Sequence, residues 1–187
     1  DLRSWETLPD ALHPTSDKDA WDDFTTWTGS VSRHDGLWHM LYTGGKRAEN
    51  ALIQRIGLAT SKDLIHWERY KDNPVIHHDP VRYETFDSEV WHDHTWRDPW
   101  VMKDPNADTY YAFITARVKD GPRDGRGVIA LAQSPDLVHW EVLDPVTAPG
   151  DFGYMEVPQV IAIEGLYYLL FSTVKEFHSE MRQSRSQ

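Results

Sequence analysis

Apolar positions along the chain fall in short runs, not at helical spacing. Leu37-Trp38-His39-Met40-Leu41-Tyr42-Thr43 follows the turn signal His34-Asp35-Gly36, and Ile56-Gly57-Leu58-Ala59-Thr60 follows a polar loop. Val101-Met102-Lys103, Asp104-Pro105-Asn106 and Tyr110-Tyr111-Ala112-Phe113-Ile114 repeat that order. So do Val160-Ile161-Ala162-Ile163, Glu164-Gly165 and Leu166-Tyr167-Tyr168-Leu169-Leu170-Phe171. β-Branched and aromatic side chains fit a pleated surface, and Gly, Pro, Asn and Asp supply turn backbone, so each run reads as a strand. No stretch of helical period is long enough to matter, and the chain is predicted to be almost entirely β.

The runs belong to a repeat. Its copies open on Trp27-Thr28-Gly29-Ser30-Val31, Arg97-Asp98-Pro99-Trp100-Val101 and Glu156-Val157-Pro158-Gln159-Val160. The first two copies close on the tags Asp63-Leu64-Ile65-His66-Trp67-Glu68 and Asp136-Leu137-Val138-His139-Trp140-Glu141, and the chain starts on a third tag, Asp1-Leu2-Arg3-Ser4-Trp5-Glu6. A constant framework with one variable edge suits four-stranded antiparallel blades of a β-propeller. The expected divisions are the end of a first blade at 1–8, a second blade at 27–70, a third at 97–143 and an incomplete fourth at 156–187. The whole reads as a partial ring of roughly three blades. The polar segments from Leu8 to Phe24 and from Asn73 to Thr95 read as inter-blade connections, and strand pattern is lost after Val174. First strands of successive blades run the same way around the channel, so Trp27, Asp98 and Glu156 are expected to start neighbouring inner strands and face one pocket.

Apolar residues make up 40% of the 187, enough for a core, and nine Trp, eight Tyr and six Phe suit both packing and sugar contact. The net charge of −11 argues against a nucleic-acid partner, which needs clustered Lys and Arg. With no Cys there is neither a disulfide nor a thiolate metal site. No apolar run reaches the roughly 18 residues that a membrane-spanning helix requires, and no signal peptide is visible.

Two acidic residues at one channel mouth, Asp98 and Glu156, are the minimal equipment for glycoside cleavage, one of them acting as a proton donor. A structural Arg97–Asp98 ion pair is the plainer alternative. His77-His78-Asp79 and His92-Asp93-His94 lack the spaced partners of a closed metal site and read as loop residues over the pocket or as solvated turns. His66, His139, Trp5, Trp67 and Trp140 recur from blade to blade and read as scaffold, the tryptophans as core packing. Asp104-Pro105-Asn106 reads as a β-turn.

Trp-Thr-Gly-Ser, Arg-Asp-Pro and Met-Glu-Val-Pro-Gln, in that order and separated by Asp-Leu-x-His-Trp tags, resemble the blocks of glycoside hydrolase family 32. That family comprises invertases, inulinases, levanases and related β-fructosidases on five-bladed propellers. Leu8-Pro9-Asp10-Ala11-Leu12-His13-Pro14 is similar to the family's stretch before its Trp-x-Gly-Ser block. The resemblance implies Glu156 as general acid/base, Asp98 as transition-state stabiliser, Arg97 as a residue holding that carboxylate and the sugar, and Trp27 and Ser30 as borders of the fructosyl subsite. It implies a carbohydrate substrate of sucrose, inulin or levan type and demands neither metal nor organic cofactor. Val157 stands where the family often has Cys. The family's nucleophilic Asp lies in a first-blade block that nothing here matches, which makes the isolated chain an incomplete enzyme with Asp22 and Asp23 as the first substitute carboxylates to consider. The alternatives are an arabinanase- or xylosidase-like propeller hydrolase, or a glycan-binding or structural propeller fragment. Open blade edges are expected to favour self-association or a complementing fragment.

Overall fold

A computed structural model describes residues 2–185, so Asp1 and the last two positions of the expected divisions lie outside the described residues. The expected grammar of strand and turn is present. Strands β1 (Thr25–His34), β2 (Leu37–Gly45), β3 (Gln54–Ser61) and β4 (Glu68–Arg69) form one antiparallel sheet in sequence order. Strands β5 (Trp96–Lys103), β6 (Tyr110–Arg117), β7 (Gly127–Ser134) and β8 (Glu141–Leu143) form a second, and β9 (Glu156–Ile163) pairs with β10 (Leu166–Ser172) in a third. The hairpins β1–β2 and β9–β10 close on Asp35-Gly36 and Glu164-Gly165, each with two consecutive positive φ values, a backbone whose twist matches that of the flanking strands. Helix is confined among the described residues to three short 3-10 turns and α1 (Glu180–Arg185), and no helix is long and apolar enough to cross a membrane.

The middle sheet shows why these sequences pack as blades. Ala112, Ile114 and Ala116 of β6 and Val128, Ala130 and Ala132 of β7 point to one face and join Leu41, Ile56, Leu58 and Trp96 in the larger core. The alternate residues Phe113 and Ile129 point to the other face and join Met155 and Val160 in a second core. Period-2 alternation therefore fills two cores from one sheet, and a one-residue slip would exchange both sets of side chains. On the face of the first sheet opposite Leu41, Ile56 and Leu58, Trp21 lies so close over Gly44 and Gly57 that a Cβ on either glycine would approach its ring to 2.4 Å.

The tags are turns, and only the second copy also reaches the core, through Leu137, Val138 and Trp140. In the copy after β3, Asp63 Oδ1 accepts the N–H groups of Ile65 and His66 at 2.9 and 2.8 Å, and Asp63 Oδ2 meets His66 Nδ1 at 2.7 Å. The copy after β7 repeats these contacts with Asp136 and His139 at 2.9, 2.8 and 2.7 Å. Trp67 and Trp140 donate Nε1–H to the Leu64 and Leu137 carbonyls, and both leucines have positive φ. Trp5 makes the same bond to Leu2, also at positive φ, yet is 81% exposed. The expectation that the tag tryptophans are core residues holds for Trp140 and is corrected for Trp5 and Trp67. They recur because a self-stapled turn requires them, and Trp140 alone of the three packs against the core.

His94 is the one member of the two histidine clusters sealed inside the fold. It is 7% exposed, neither ring nitrogen has a partner, and its ring meets His78 edge-on at 4.4 Å between centroids. Burial, then the neighbouring His78, lowers its pKa to about 4 against the opposing Gln54 backbone, with Arg55 acting in the same direction as burial and Asp93 opposing. A histidine that resists protonation when folded contributes stability that is complete above the unfolded pKa of about 6.5 and is lost as pH falls toward the folded value. Urea unfolding of the wild type should therefore lose on the order of 2–3 kcal/mol from this group between neutral pH and pH ~4. In His94→Leu the loss over that interval should be smaller by that amount. An unchanged pH slope would show that His94 is not the group responsible.

Candidate active site

Each of the three inner strands is irregular where it starts. Register shifts occur between Trp27 and Gly29 in β1, between Arg97 and Trp100 in β5, and opposite the start of β9 between Leu170 and Ser172. Bulges bend a strand and re-aim side chains that a regular pleat would send to alternate faces. Asp98 and Val157 have φ values of 57° and 50°, positive for non-glycine residues. Such backbone persists only where neighbours determine it. Here the Asp98 N–H donates to Thr43 Oγ1 at 2.9 Å, and the Thr43 hydroxyl donates to the Thr28 carbonyl at 3.0 Å. Asp98 Oδ2 accepts from Thr115 Oγ1 and from the Val157 N–H, both at 3.2 Å. A single carboxylate thus ties β5 to β6 and to β9.

These strand starts enclose a cleft of about 330 Å³ lined by Trp27, Thr28, Gln54, His92, Asp93, Arg97, Asp98, Tyr154, Glu156 and Val157. Arg97, 6% exposed, organises it. Its Nη1 donates to Gln54 Oε1 at 2.9 Å and Asp93 Oδ2 at 3.1 Å, and its Nη2 donates to Glu156 Oε1 at 2.9 Å. Gln54 Nε2 donates to Asp93 Oδ2 at 3.2 Å, closing a ring of three residues from two sheets and the connection between them. Burial pushes the Asp98 carboxyl above its ordinary pKa against the opposing pull of Arg97 and the Val157 N–H, and the charge of Glu156 adds to the rise. The Glu156 side chain is 34% exposed and so can reach a ligand, whereas Asp98 is 6% exposed.

Of the residues singled out from sequence, Trp27, Arg97, Asp98 and Glu156 line this one cleft. Arg97 is nearer to Glu156, at 2.9 Å, than to Asp98, at 3.7 Å, so the carboxylate it chiefly holds is the former. Ser30 is not among the residues that line the cleft. Its hydroxyl donates to the Pro99 carbonyl at 2.8 Å and accepts from the Val101 N–H at 2.9 Å, fastening β1 to β5 outside the cleft. Asp22 and Asp23 are engaged elsewhere, Asp22 with the Tyr42 hydroxyl and Arg69, Asp23 with the Arg47 N–H. Val157, 37% exposed, contributes its backbone N–H to Asp98. His92 and Asp93 line the cleft as one reading of their segment expected, and no group of three or more His, Asp or Glu among the described residues could hold a metal ion. Gln54 and Tyr154 were missed, since neither stands in a repeated motif opening.

The chain matches the model of the glycosyl hydrolases family 32 N-terminal domain over residues 1–185. It is 31% identical over 144 residues to a sucrose-6-phosphate hydrolase of Zymomonas mobilis, covering 75% of this chain and 25% of that protein. It is 31% identical over 180 residues to a sucrose-6-phosphate hydrolase of Escherichia coli, covering 92% of this chain and 33% of that protein. Among solved structures, the GH32 beta-fructofuranosidase of Bombyx mori superposes with a TM-score of 0.67 at 26% identity, over 89% of this chain and 32% of that one. The inulosucrase of Halalkalicoccus jeotgali bound to kestose superposes at 0.65 with 25% identity, over 83% and 44%. The chain therefore spans a quarter to a third of the length of the curated relatives it matches.

The placement of Ser30 is testable. Ser30→Ala leaves the Val101 N–H and the Pro99 carbonyl without their partner and should cost about 1–3 kcal/mol in denaturant unfolding. Sugar affinity, measured by titration calorimetry under folded conditions, should stay unchanged. Weaker sugar binding at full stability would return Ser30 to the subsite.

Proposed function

The chain belongs to glycosyl hydrolase family 32, and on that premise we propose that it forms the acid/base side of a retaining β-fructosidase site on a five-bladed propeller. The observation that carries this reading is the convergence of Asp98 and Glu156 on one cleft around Arg97. Glu156, the more accessible carboxyl, donates a proton to the leaving glycosidic oxygen and later takes one from water. Asp98, anchored by Thr115 and the Val157 N–H, faces the fructosyl ring and stabilises the oxocarbenium-like transition state through its hydroxyls. Arg97 fixes the Glu156 carboxyl from behind, so the proton is delivered from one position.

A retaining mechanism also needs a carboxylate that attacks the anomeric carbon. Asp93 does not serve, because its Oδ2 accepts from Arg97 and Gln54 and its Oδ1 accepts from Thr95 at 2.7 Å. The reading assigns the attack to an aspartate of a blade preceding β1, and the substrate is a neutral fructoside of the sucrose, inulin or levan type. In an enzyme that carries this chain with such a blade, Glu156→Gln should depress turnover of sucrose by roughly 10²–10⁴-fold and that of an activated aryl fructoside far less, because a good leaving group does not need the proton. Asp98→Asn should depress both, since charge develops on the sugar in either case. Equal penalties for the two substrates in Glu156→Gln would remove Glu156 from the acid role.

The partner at the open edge is a further part of the reading. Strands β2 and β6 each pair on both sides, whereas β10 pairs with β9 alone, and Leu166, Tyr167, Tyr168 and Leu170 are 61%, 55%, 46% and 49% exposed. An unpaired strand with apolar side chains is a template for another strand. The isolated chain should therefore sediment with an average mass that rises with concentration. A folded monomer throughout the concentration series would refute this.

A further inference from the structure

Asp93 lines the cleft but has no part in the proton transfers assigned to Glu156 and Asp98. It comes from the connection before β5, outside every repeat opening, and its side chain is 12% exposed. Its carboxylate accepts three times: from Arg97 Nη1 at 3.1 Å, from Gln54 Nε2 at 3.2 Å and from the Thr95 hydroxyl at 2.7 Å. The backbone keeps it there. The His94 N–H donates to the Leu52 carbonyl at 2.7 Å and His94 bridges Ile53, so the residues next to Asp93 and to Gln54 are bonded to each other.

Asp93 and Glu156 occupy two nitrogens of one guanidinium. Arg97 Nη1 donates to the former and Nη2 to the latter, at 2.9 Å, while Asp98 stands 3.7 Å from Nε. Among the described residues that line the cleft, three carboxylates therefore face a single Lys or Arg side chain. The other titratable groups there are His92 and Tyr154. His92 Nε2 lies 3.7 Å from Asp93 Oδ2, and the Arg97 guanidinium lies 5.3 Å from the Tyr154 ring centroid. The Tyr154 hydroxyl registers the balance: burial, then the charge of Glu156, raises its pKa, Arg97 opposes them, and Asp93 adds to the rise.

A group that donates a proton must hold one at the working pH, and an unshared guanidinium 2.9 Å away favours the carboxylate instead. A second carboxylate on the same guanidinium offsets that pull, and it repels the charge that Glu156 gains by losing its proton. We propose that Asp93 is a positioning residue for that proton: acting through Arg97, it keeps Glu156 in the acid form until the leaving oxygen takes the proton. The Glu156 carboxylate left behind keeps its bond to Arg97 and regains a proton from the water that completes the reaction. This rests on the reading of Glu156 as general acid/base.

The test is the pH dependence of kcat/KM for sucrose in an enzyme that carries this chain with a preceding blade. A general acid gives such a profile an alkaline limb, where the enzyme has lost the proton it must donate. In Asp93→Asn the carboxamide oxygen still accepts from Arg97 and Gln54 and its amino group can donate to Thr95, so the charge is removed and the bonds are kept. The alkaline limb should move down by about one pH unit. Asp93→Ser, uncharged and smaller, should move it the same way and serves where the carboxamide disturbs folding. Gln54→Leu takes a neutral partner from both Arg97 and Asp93, and should lower the rate at every pH with the limb in place. A limb that stays put in the Asp93 variants while the rate falls throughout would reduce Asp93 to a structural tie and leave Glu156 as the acid. A limb that survives unchanged in Glu156→Gln would overturn the acid reading itself, and the role of Asp93 with it.

Discussion

A guanidinium sealed from water must be matched on nearly every N–H, and Arg97 meets that demand by recruiting Gln54 from the first sheet, Asp93 from the connection after it, and Glu156 from the third. Removing any one partner would leave charge or polar groups uncompensated at low dielectric, a cost of several kcal/mol when a buried pair is broken. The arrangement therefore serves geometry more than stability. One cation defines where three sheets meet, and the only partner it leaves substantially open to solvent is Glu156.

The same junction accounts for the irregular backbone. A regular β5 would alternate Arg97 and Asp98 between opposite faces of the sheet, one toward the cleft and one toward a core. The bulge after Arg97 and the positive φ of Asp98 bring both to the cleft. Strain of about 1–3 kcal/mol per such residue is offset by bonds to other strands, from the Asp98 N–H to the Thr43 hydroxyl and from the Val157 N–H to the Asp98 carboxylate. Ser30 belongs to this stitching as well. Its hydroxyl bolts β1 to β5 through the Pro99 carbonyl and the Val101 N–H.

Strands and hairpin turns were legible because their rules are local. Asp35-Gly36 and Glu164-Gly165 announce turns, and the apolar run Tyr110-Tyr111-Ala112-Phe113-Ile114 announces a strand. Arg97, Asp98 and Glu156 were legible because they stand in the openings of a repeat, whereas His92 and Asp93 stand in the connection before one. Gln54 and Tyr154 carry no such mark, as their roles depend on which blade lies beside which, a relation that emerges only from packing. The tag tryptophans misled for a different reason. Repetition signals a structural requirement, but a turn that bonds to itself satisfies it as well as a core does, and only burial separates the two.

Because both faces of β6 and β7 are buried, the middle sheet has no existence apart from its neighbours. Ala112, Ile114 and Ala116 need the first sheet, and Phe113 and Ile129 need the third. The cleft has the same dependence, since Gln54, Arg97 and Glu156 come one from each sheet. Packing and chemistry are thus coupled through a shared boundary: any shift of β9 relative to β5 large enough to disturb Met155 and Val160 also moves Glu156 against Arg97. Close-packed interiors resist such shifts steeply. The precision of the cleft is therefore inherited from the cores beneath it, which explains how the motif openings can differ from blade to blade while the framework that aims them stays constant.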